Sequence, residues 1–123
     1  MKILWSWQFN IRTASESNSS DNWRKKAKRH SKQKLFIAKV FMVERPKVQP
    51  PCKVTLTRIA PRNLDEHDNL RTSMKWITDA IASYLVPGKA AGRADDCKAI
   101  EWDYKQKKGA VREYGVLVEI ETL

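Results

Sequence analysis

The spacing of apolar residues changes along the chain, and this change restricts the fold more than any other feature. Apolar residues at the start alternate with polar ones: Ile3, Trp5, Trp7, Phe9 and Ile11. Alternation is the period of a half-buried strand. Farther along, apolar residues recur at helical intervals: Leu70, Met74, Ile77, Ile81 and Leu85. Two such periods within 123 residues predict one α+β domain over residues 1–123.

The remaining segments complete the predicted order β-α-β-α-β-β. A basic helix is predicted over about residues 22–43, and a helix carrying the apolar stripe over 68–86. Strands are predicted at Cys52–Ala60, from Ile100 onward and at Tyr114–Leu123, because β-branched or alternating residues occupy them. The run KQKKGA, residues 105–110, is predicted to be a basic turn. The expected fold is a small mixed four-stranded sheet with two main helices covering one face.

Two apolar groups are predicted to lie in the core. The second half of the first helix reads LFIAKVFMV, which is dense enough in apolar residues to be buried. Trp5 and Trp7 belong to a strand face that is apolar throughout, so core packing is favoured over a base-stacking platform.

Charge is distributed unevenly along the chain, whose formal net charge is +10. Residues 1–64 contain 15 Lys and Arg against 3 Asp and Glu, a net of +12, and residues 65–123 contain 9 against 11, a net of −2. A basic half joined to an acidic half indicates a phosphate-binding surface beside an acidic site. A surface that merely keeps the protein soluble accounts for the charge equally well.

Cysteine content and hydropathy restrict the class of protein. Cys52 and Cys97 form no CxxC motif, so a zinc ribbon and a disulfide scaffold are disfavoured and two reduced thiols are expected. The start, MKILWSWQFNI, lacks the features of a signal peptide, and no segment approaches the roughly 20 apolar residues that span a bilayer. A cytoplasmic protein without a membrane partner is therefore expected.

Acidic residues gather where the second helix is predicted to begin. Asp65, Glu66 and Asp68 are three acids in four positions, and they repel one another unless a positive group lies between them. Mg²⁺ prefers such oxygen ligands. A second pair, Asp95–Asp96, can return to the first because the chain after Val86 reaches about 30 Å when extended. Exposed acids without a metal remain the alternative, and His67 is expected to be a surface histidine.

The second predicted helix has a polar face opposite its apolar stripe. Asp68, Thr72, Lys75 and Asp79 recur at helical intervals. Lys75 can lean toward the acidic end of the helix and contact a phosphate there. Alternatively, it forms an ion pair with Asp79, one turn away.

These residues together resemble a known family. The resemblance rests on the run LDEHDNL at 64–70, then Lys75, the Asp79-Ala80-Ile81 step and Asp95–Asp96. They are similar to the motifs of the RusA family of Holliday junction resolvases, which are mostly phage and prophage endonucleases. A looser similarity covers Asn18, the segment Asn22-Trp23-Arg24 with the basic helix, and residues 54–62.

The resemblance implies a RusA-like homodimer that binds four-way DNA junctions and nicks opposing strands with Mg²⁺. The implied metal ligands are Asp68, Asp96 and one of Asp65 or Glu66, with Asp95 beside them; Lys75 would act near the phosphate. Asp65, Asp68, Asp96 and Lys75 are thus the expected catalytic residues. The residues expected to contact DNA are Asn22, Arg24, Lys25, Lys28, Arg29, Lys32, Lys107 and Lys108. Two rival hypotheses are a non-catalytic junction-binding protein of the same fold and an interaction protein whose basic helix binds an acidic partner.

Overall fold

The computed structural model describes residues 3–11, 23–62, 70, 73–86 and 98–122. Its elements are β1 (Ile3–Phe9), α1 (Trp23–Glu44), β2 (Cys52–Ala60), α2 (Lys75–Leu85), β3 (Ile100–Lys108) and β4 (Gly115–Thr122). The predicted α+β class and the order β-α-β-α-β-β are confirmed. Within the described residues, no helix is both long and apolar enough to cross a membrane.

The four strands form one mixed sheet in the order β1-β4-β2-β3. β4 pairs antiparallel with both β1 and β2, while β2 pairs parallel with β3 from Cys52↔Ile100 to Ala60↔Lys108. β1, β2 and β3 therefore run in the same direction, and β1 and β3 are the edge strands.

Both helices cover the same face of the sheet. Parallel crossovers are almost always right-handed, and the crossovers β1-α1-β2 and β2-α2-β3 advance in the same direction across the sheet. α1 and α2 contact each other, and the hydroxyls of Thr78 and Tyr104 lie 3.4 Å apart between α2 and β3. The alternate residues Cys52, Val54 and Leu56 of β2 are fully buried beneath the helices, where Cys52 is a thiol.

The apolar stripe of the second helix is buried as predicted. All five of its residues belong to the hydrophobic core: Leu70, Met74, Ile77, Ile81 and Leu85. The helix is less continuous than predicted, because α2 begins at Lys75, whereas Leu70 and Ser73 are helical ahead of it and Met74 lies in a turn. Ser73 Oγ donates a hydrogen bond to the Leu70 carbonyl at 2.7 Å, a side-chain contact that competes with regular helix geometry.

The prediction that the second half of α1 lies in the core is wrong for most of its apolar residues. Ile37 and Phe41 are buried, but Leu35, Phe36, Met42 and Val43 are exposed. A helix packed on one side of a sheet buries a single stripe, and the apolar residues around the rest of its circumference stay in solvent. α1 ends where Arg45 adopts a left-handed backbone (φ 45°) and its N–H donates to the Phe41 carbonyl at 2.8 Å.

The two tryptophans of β1 have different environments. Trp5 packs against the core, with its ring 5.1 Å from that of Phe41. Trp7 stacks on Trp5 at 6.4 Å but is 37% exposed, because β1 is an edge strand. The prediction that both belong to the core therefore holds for Trp5 and only partly for Trp7.

Candidate nucleic-acid interface

One end of the sheet collects the termini of three parallel strands. β1, β2 and β3 finish there at Phe9, Ala60 and Lys108, and this end is called the carboxyl end below. The opposite end, where Cys52 pairs with Ile100, is called the amino end. In open sheets with parallel strands, ligands commonly bind outside the carboxyl ends of those strands.

The basic half of α1 lies at the carboxyl end. Since α1 connects the end of β1 to the start of β2, it begins at the carboxyl end and finishes at the amino end. Its predicted DNA-contacting residues are exposed or half-buried: Arg24, Lys25, Lys28, Arg29 and Lys32. The guanidinium of Arg24 lies 5.4 Å from the ring centre of Trp23, which is itself 73% exposed. Cationic and aromatic side chains are thus both exposed at the start of α1.

Lys107 and Lys108 bring a second set of cations to the same end. The prediction that residues 105–110 form a turn is wrong, because β3 continues through Lys108 and the turn lies at Val111 and Arg112. Both lysines are exposed. The lysines led to the prediction of a turn. Edge strands also often carry lysine, which discourages pairing with another chain.

Lys75, the first residue of α2, is the third source of positive charge at the carboxyl end. Its side chain is exposed, and its ammonium lies 4.9 Å from the ring centre of Trp76. Trp76 also stacks on His30 of α1, with ring centroids 3.9 Å apart and planes 19° apart. This aromatic contact joins the start of α2 to the basic half of α1, so cations of both helices border one surface.

Arg58 is a residue of this region to which the sequence assigned no role. It occupies the helix-covered side of β2, following Leu56 by two positions, and is only 7% exposed. Its Nη1 donates a 2.7 Å hydrogen bond to the carbonyl of Arg62, where the chain leaves β2 toward the acidic segment. The sequence did contain a signal for this residue. Arg58 occupies a core-facing position of a strand whose other core-facing residues are apolar, and a buried charge requires a partner.

The acidic residues and Asn22 lie outside the described part of the chain. These predicted residues are Asp65, Glu66, His67, Asp68, Asp95 and Asp96. The first acidic segment follows β2 at the carboxyl end, and the second precedes β3 at the amino end. The strand ends are about 26 Å apart, at 3.3 Å per residue. The connections from Ala60 to Asp68 and from Asp96 to Ile100 together span about 40 Å when extended, so chain length permits the acids to meet if one segment runs back along the sheet.

Donors that suit a divalent cation stand close together in sequence in those two segments. In the described residues, no group of three or more His, Cys, Asp or Glu side chains could hold a metal ion. The acids at 65–68 and 95–96 supply carboxylate oxygens, which suit Mg²⁺ chemically. The predicted magnesium site thus remains a prediction, and the described interface consists of the cations at the carboxyl end.

Comparison with known proteins adds no identification. No protein-family model matches the chain, and no curated protein or solved structure matches it significantly. The functional hypothesis therefore depends on the residues themselves: exposed cations from α1, α2 and β3 share one end of the sheet, and the chain continues from that end into a cluster of acids.

Proposed function

We propose that the protein is a magnesium-dependent endonuclease that cuts branched DNA, in particular four-way junctions, in the manner of the RusA-like resolvases that it resembles. One observation carries the proposal. Exposed lysines of three separate elements, among them Lys28, Lys75 and Lys108, lie at the carboxyl end, where β2 leads into the acidic segment. Cations beside acids are what a metal-dependent nuclease needs to hold both a phosphate and a divalent ion.

The cationic residues have a positioning role in this proposal. Lysine and arginine contacts to phosphate fix the register of DNA without reading its sequence, which suits recognition of a branch by its shape. Lys75 begins the helix that follows the first acidic segment, and we assign it to the phosphate that is cut, where it stabilises developing negative charge. Arg58 positions the acidic segment by holding the carbonyl of Arg62.

The acids have the metal-binding role. Asp68 and Asp96, with Asp65 or Glu66 and the neighbouring Asp95, would hold Mg²⁺, and bound Mg²⁺ supplies an activated water and stabilisation of the leaving oxygen. All five side chains are carboxylates, so their chemistry alone does not tell which of them bind the ion. Replacing them one at a time identifies the ligands.

The same proposal includes a homodimer. A four-way junction has two equivalent strands to cut, and a two-fold dimer presents two equivalent sites. The exposed apolar residues of α1 support self-association: Leu35 is 57% exposed, Met42 69% and Val43 80%. Exposed apolar side chains that form a patch commonly mark a protein contact.

The test is a cleavage assay on a labelled four-way junction and a linear duplex of equal length, with Mg²⁺ or with EDTA. We expect nicks in the junction only, and only with Mg²⁺. Asp68→Asn should reduce cutting by about 100-fold or more, since even outer-shell partners of a metal contribute about 10–100-fold, while junction binding persists. The matched control is Asp103→Asn in β3, whose carboxylate lies 4.0 Å from Lys53 and Lys105 and belongs to neither acidic segment. Equal loss in both variants would contradict the assignment of Asp68.

A non-catalytic junction-binding protein is the second candidate, and the separation of the acidic segments favours it. The segments join the sheet at opposite ends of the β2–β3 pair, about 26 Å apart. If they do not meet, the cations still grip DNA while no ion is held. That protein would bind junctions equally well with EDTA, leave them uncut with Mg²⁺, and bind as tightly after Asp68→Asn.

A further inference from the structure

A surface pocket lies beside the basic half of α1, just beyond the end of β1. It has a volume of about 470 Å³ and is lined by Asn10, Ile11, Lys28, Lys32, Gln33 and Phe36, among others. The α1 residues share one helix face because their spacing approximates whole turns. The pocket therefore opens at the carboxyl end, two strand positions from β2, or about 10 Å from where the chain leaves toward the first acids.

The polar feature of this pocket is the side-chain amide of Gln33. Gln33 is only 5% exposed, and its Oε1 is buried without a hydrogen-bond partner among the described residues. Buried amide oxygens are almost always satisfied, so this acceptor would gain a hydrogen bond from a ligand in the pocket that donates one. The terminal torsion of glutamine is soft, and its rotation turns the amide toward the pocket.

The remaining walls determine the chemistry of that ligand. Phe36 presents a ring that is 41% exposed, and Ile11 closes the pocket with an apolar side chain. Lys28 and Lys32 are exposed lining residues of the same pocket. The apolar wall, the two lysines and the glutamine together fit a ligand that has a flat apolar ring, an attached anion and an edge that donates a hydrogen bond. A nucleotide has all three features. The volume falls within the range of small-molecule sites, about 300–1,000 Å³.

We propose that this pocket binds one unpaired nucleotide of a DNA strand. The base packs against Phe36, its edge donates a hydrogen bond to Gln33, and its phosphate lies between Lys28 and Lys32. The choice of DNA as the ligand rests on the proposed function. The pocket provides a place for a base that is unstacked at a branch. Binding in the pocket requires no metal and no cleavage.

The test measures the affinity of the full chain, in EDTA, for a fluorescein-labelled five-nucleotide deoxyadenosine strand and for a short duplex. We expect Phe36→Leu to weaken binding of the single strand at least fivefold, since stacking of a base on an aromatic ring is worth about that factor or more. Gln33→Leu should weaken it about fivefold, since it removes the hydrogen bond to the base. Duplex affinity should stay within twofold of wild type. Ser31→Ala, which changes an exposed residue of the same helix outside this pocket, is the matched control and should change neither affinity.

Each outcome supports or overturns the proposal. Selective loss of single-strand binding in the two pocket variants supports it, and thermal melting verifies that both variants are folded. Unchanged single-strand affinity, or equal losses for single strand and duplex, would overturn it. Because all binding is measured without Mg²⁺, a protein that binds as expected but never cuts junctions refutes the nuclease and leaves the pocket intact. A protein that cuts junctions although its pocket variants bind like wild type refutes only the pocket.

Discussion

The two ends of the sheet are built from different kinds of residue. At the carboxyl end, Gln33 and Arg58 are polar and buried, and exposed cations surround them. At the amino end, Leu85 and Ile100 are buried apolar residues, and backbone carbonyls accept hydrogen bonds, such as that of Ala99 from the Cys52 N–H at 3.0 Å. Apolar burial stabilises a fold, whereas buried polar groups cost stability and are commonly retained for function. This difference predicts that stability and DNA binding can be altered separately.

The largest expected effect is on stability and concerns the half of α2 that approaches the amino end. Ile81 is fully buried, so Ile81→Ala should lower the free energy of unfolding by about 2–5 kcal/mol through lost transfer energy and a cavity. Urea denaturation measures this change. At temperatures where the variant stays folded, its affinity for a junction should equal that of wild type. A matching loss of affinity would show that the two ends are not separable.

The next effect is on DNA binding and concerns the end of β3. Replacing Lys107 and Lys108 by alanine should reduce the slope of log affinity against log salt by about 1.8, since each phosphate contact contributes about 0.9. Filter binding over a range of salt concentrations measures the slope. The control is the double replacement of Lys47 and Lys98, exposed lysines that border the amino end, and its slope should equal that of wild type. A flat slope for the wild-type protein would instead favour an acidic protein partner.

The sequence predicted well those elements whose pattern is local. β2 has the predicted bounds because β-branched residues fill Cys52–Ala60 and two prolines precede it. The buried stripe of α2 followed from helical spacing alone. By contrast, the extension of β3 through Lys108 was missed, because a lysine-rich edge strand and a basic turn have the same composition.

Features that depend on tertiary arrangement could not be predicted. The exposure of Leu35 and Met42 depends on which side of α1 faces the sheet, and an apolar run does not specify that side. The role of Arg58 depends on a carbonyl that folding brings to it. The distance between the two acidic segments depends on the parallel register of β2 and β3, which chain length does not fix. The sequence therefore predicted which types of residue form the candidate site, but it did not predict where those residues lie relative to one another.

A smaller effect tests whether Arg58 positions the acidic segment. Arg58→Met removes a buried cation and the hydrogen bond that it donates to the Arg62 carbonyl. We expect the free energy of unfolding to fall by about 1.5–3 kcal/mol, the usual contribution of a hydrogen bond from a charged group, while cutting of a junction by the folded variant falls about tenfold, equivalent to about 1.4 kcal/mol. Arg62→Ala is the control, because Arg58 contacts the backbone carbonyl of Arg62 and not its side chain. If both variants cut like wild type, Arg58 serves the fold alone.

The smallest expected effect lies at the amino end and tests its purely structural character. The Tyr84 hydroxyl donates a 3.2 Å hydrogen bond to the Pro46 carbonyl, which connects α2 to the chain after α1. Tyr84→Phe removes this bond but preserves stacking of the ring on Phe41, where the centroids are 4.5 Å apart. The free energy of unfolding should fall by about 0.5–1 kcal/mol, since the hydroxyl is partly hydrated and the loss is that of one ordinary hydrogen bond. Junction affinity and its salt dependence should not change. A change in either would mean that the amino end also contacts DNA, because the substitution alters no charge and leaves the core packing in place.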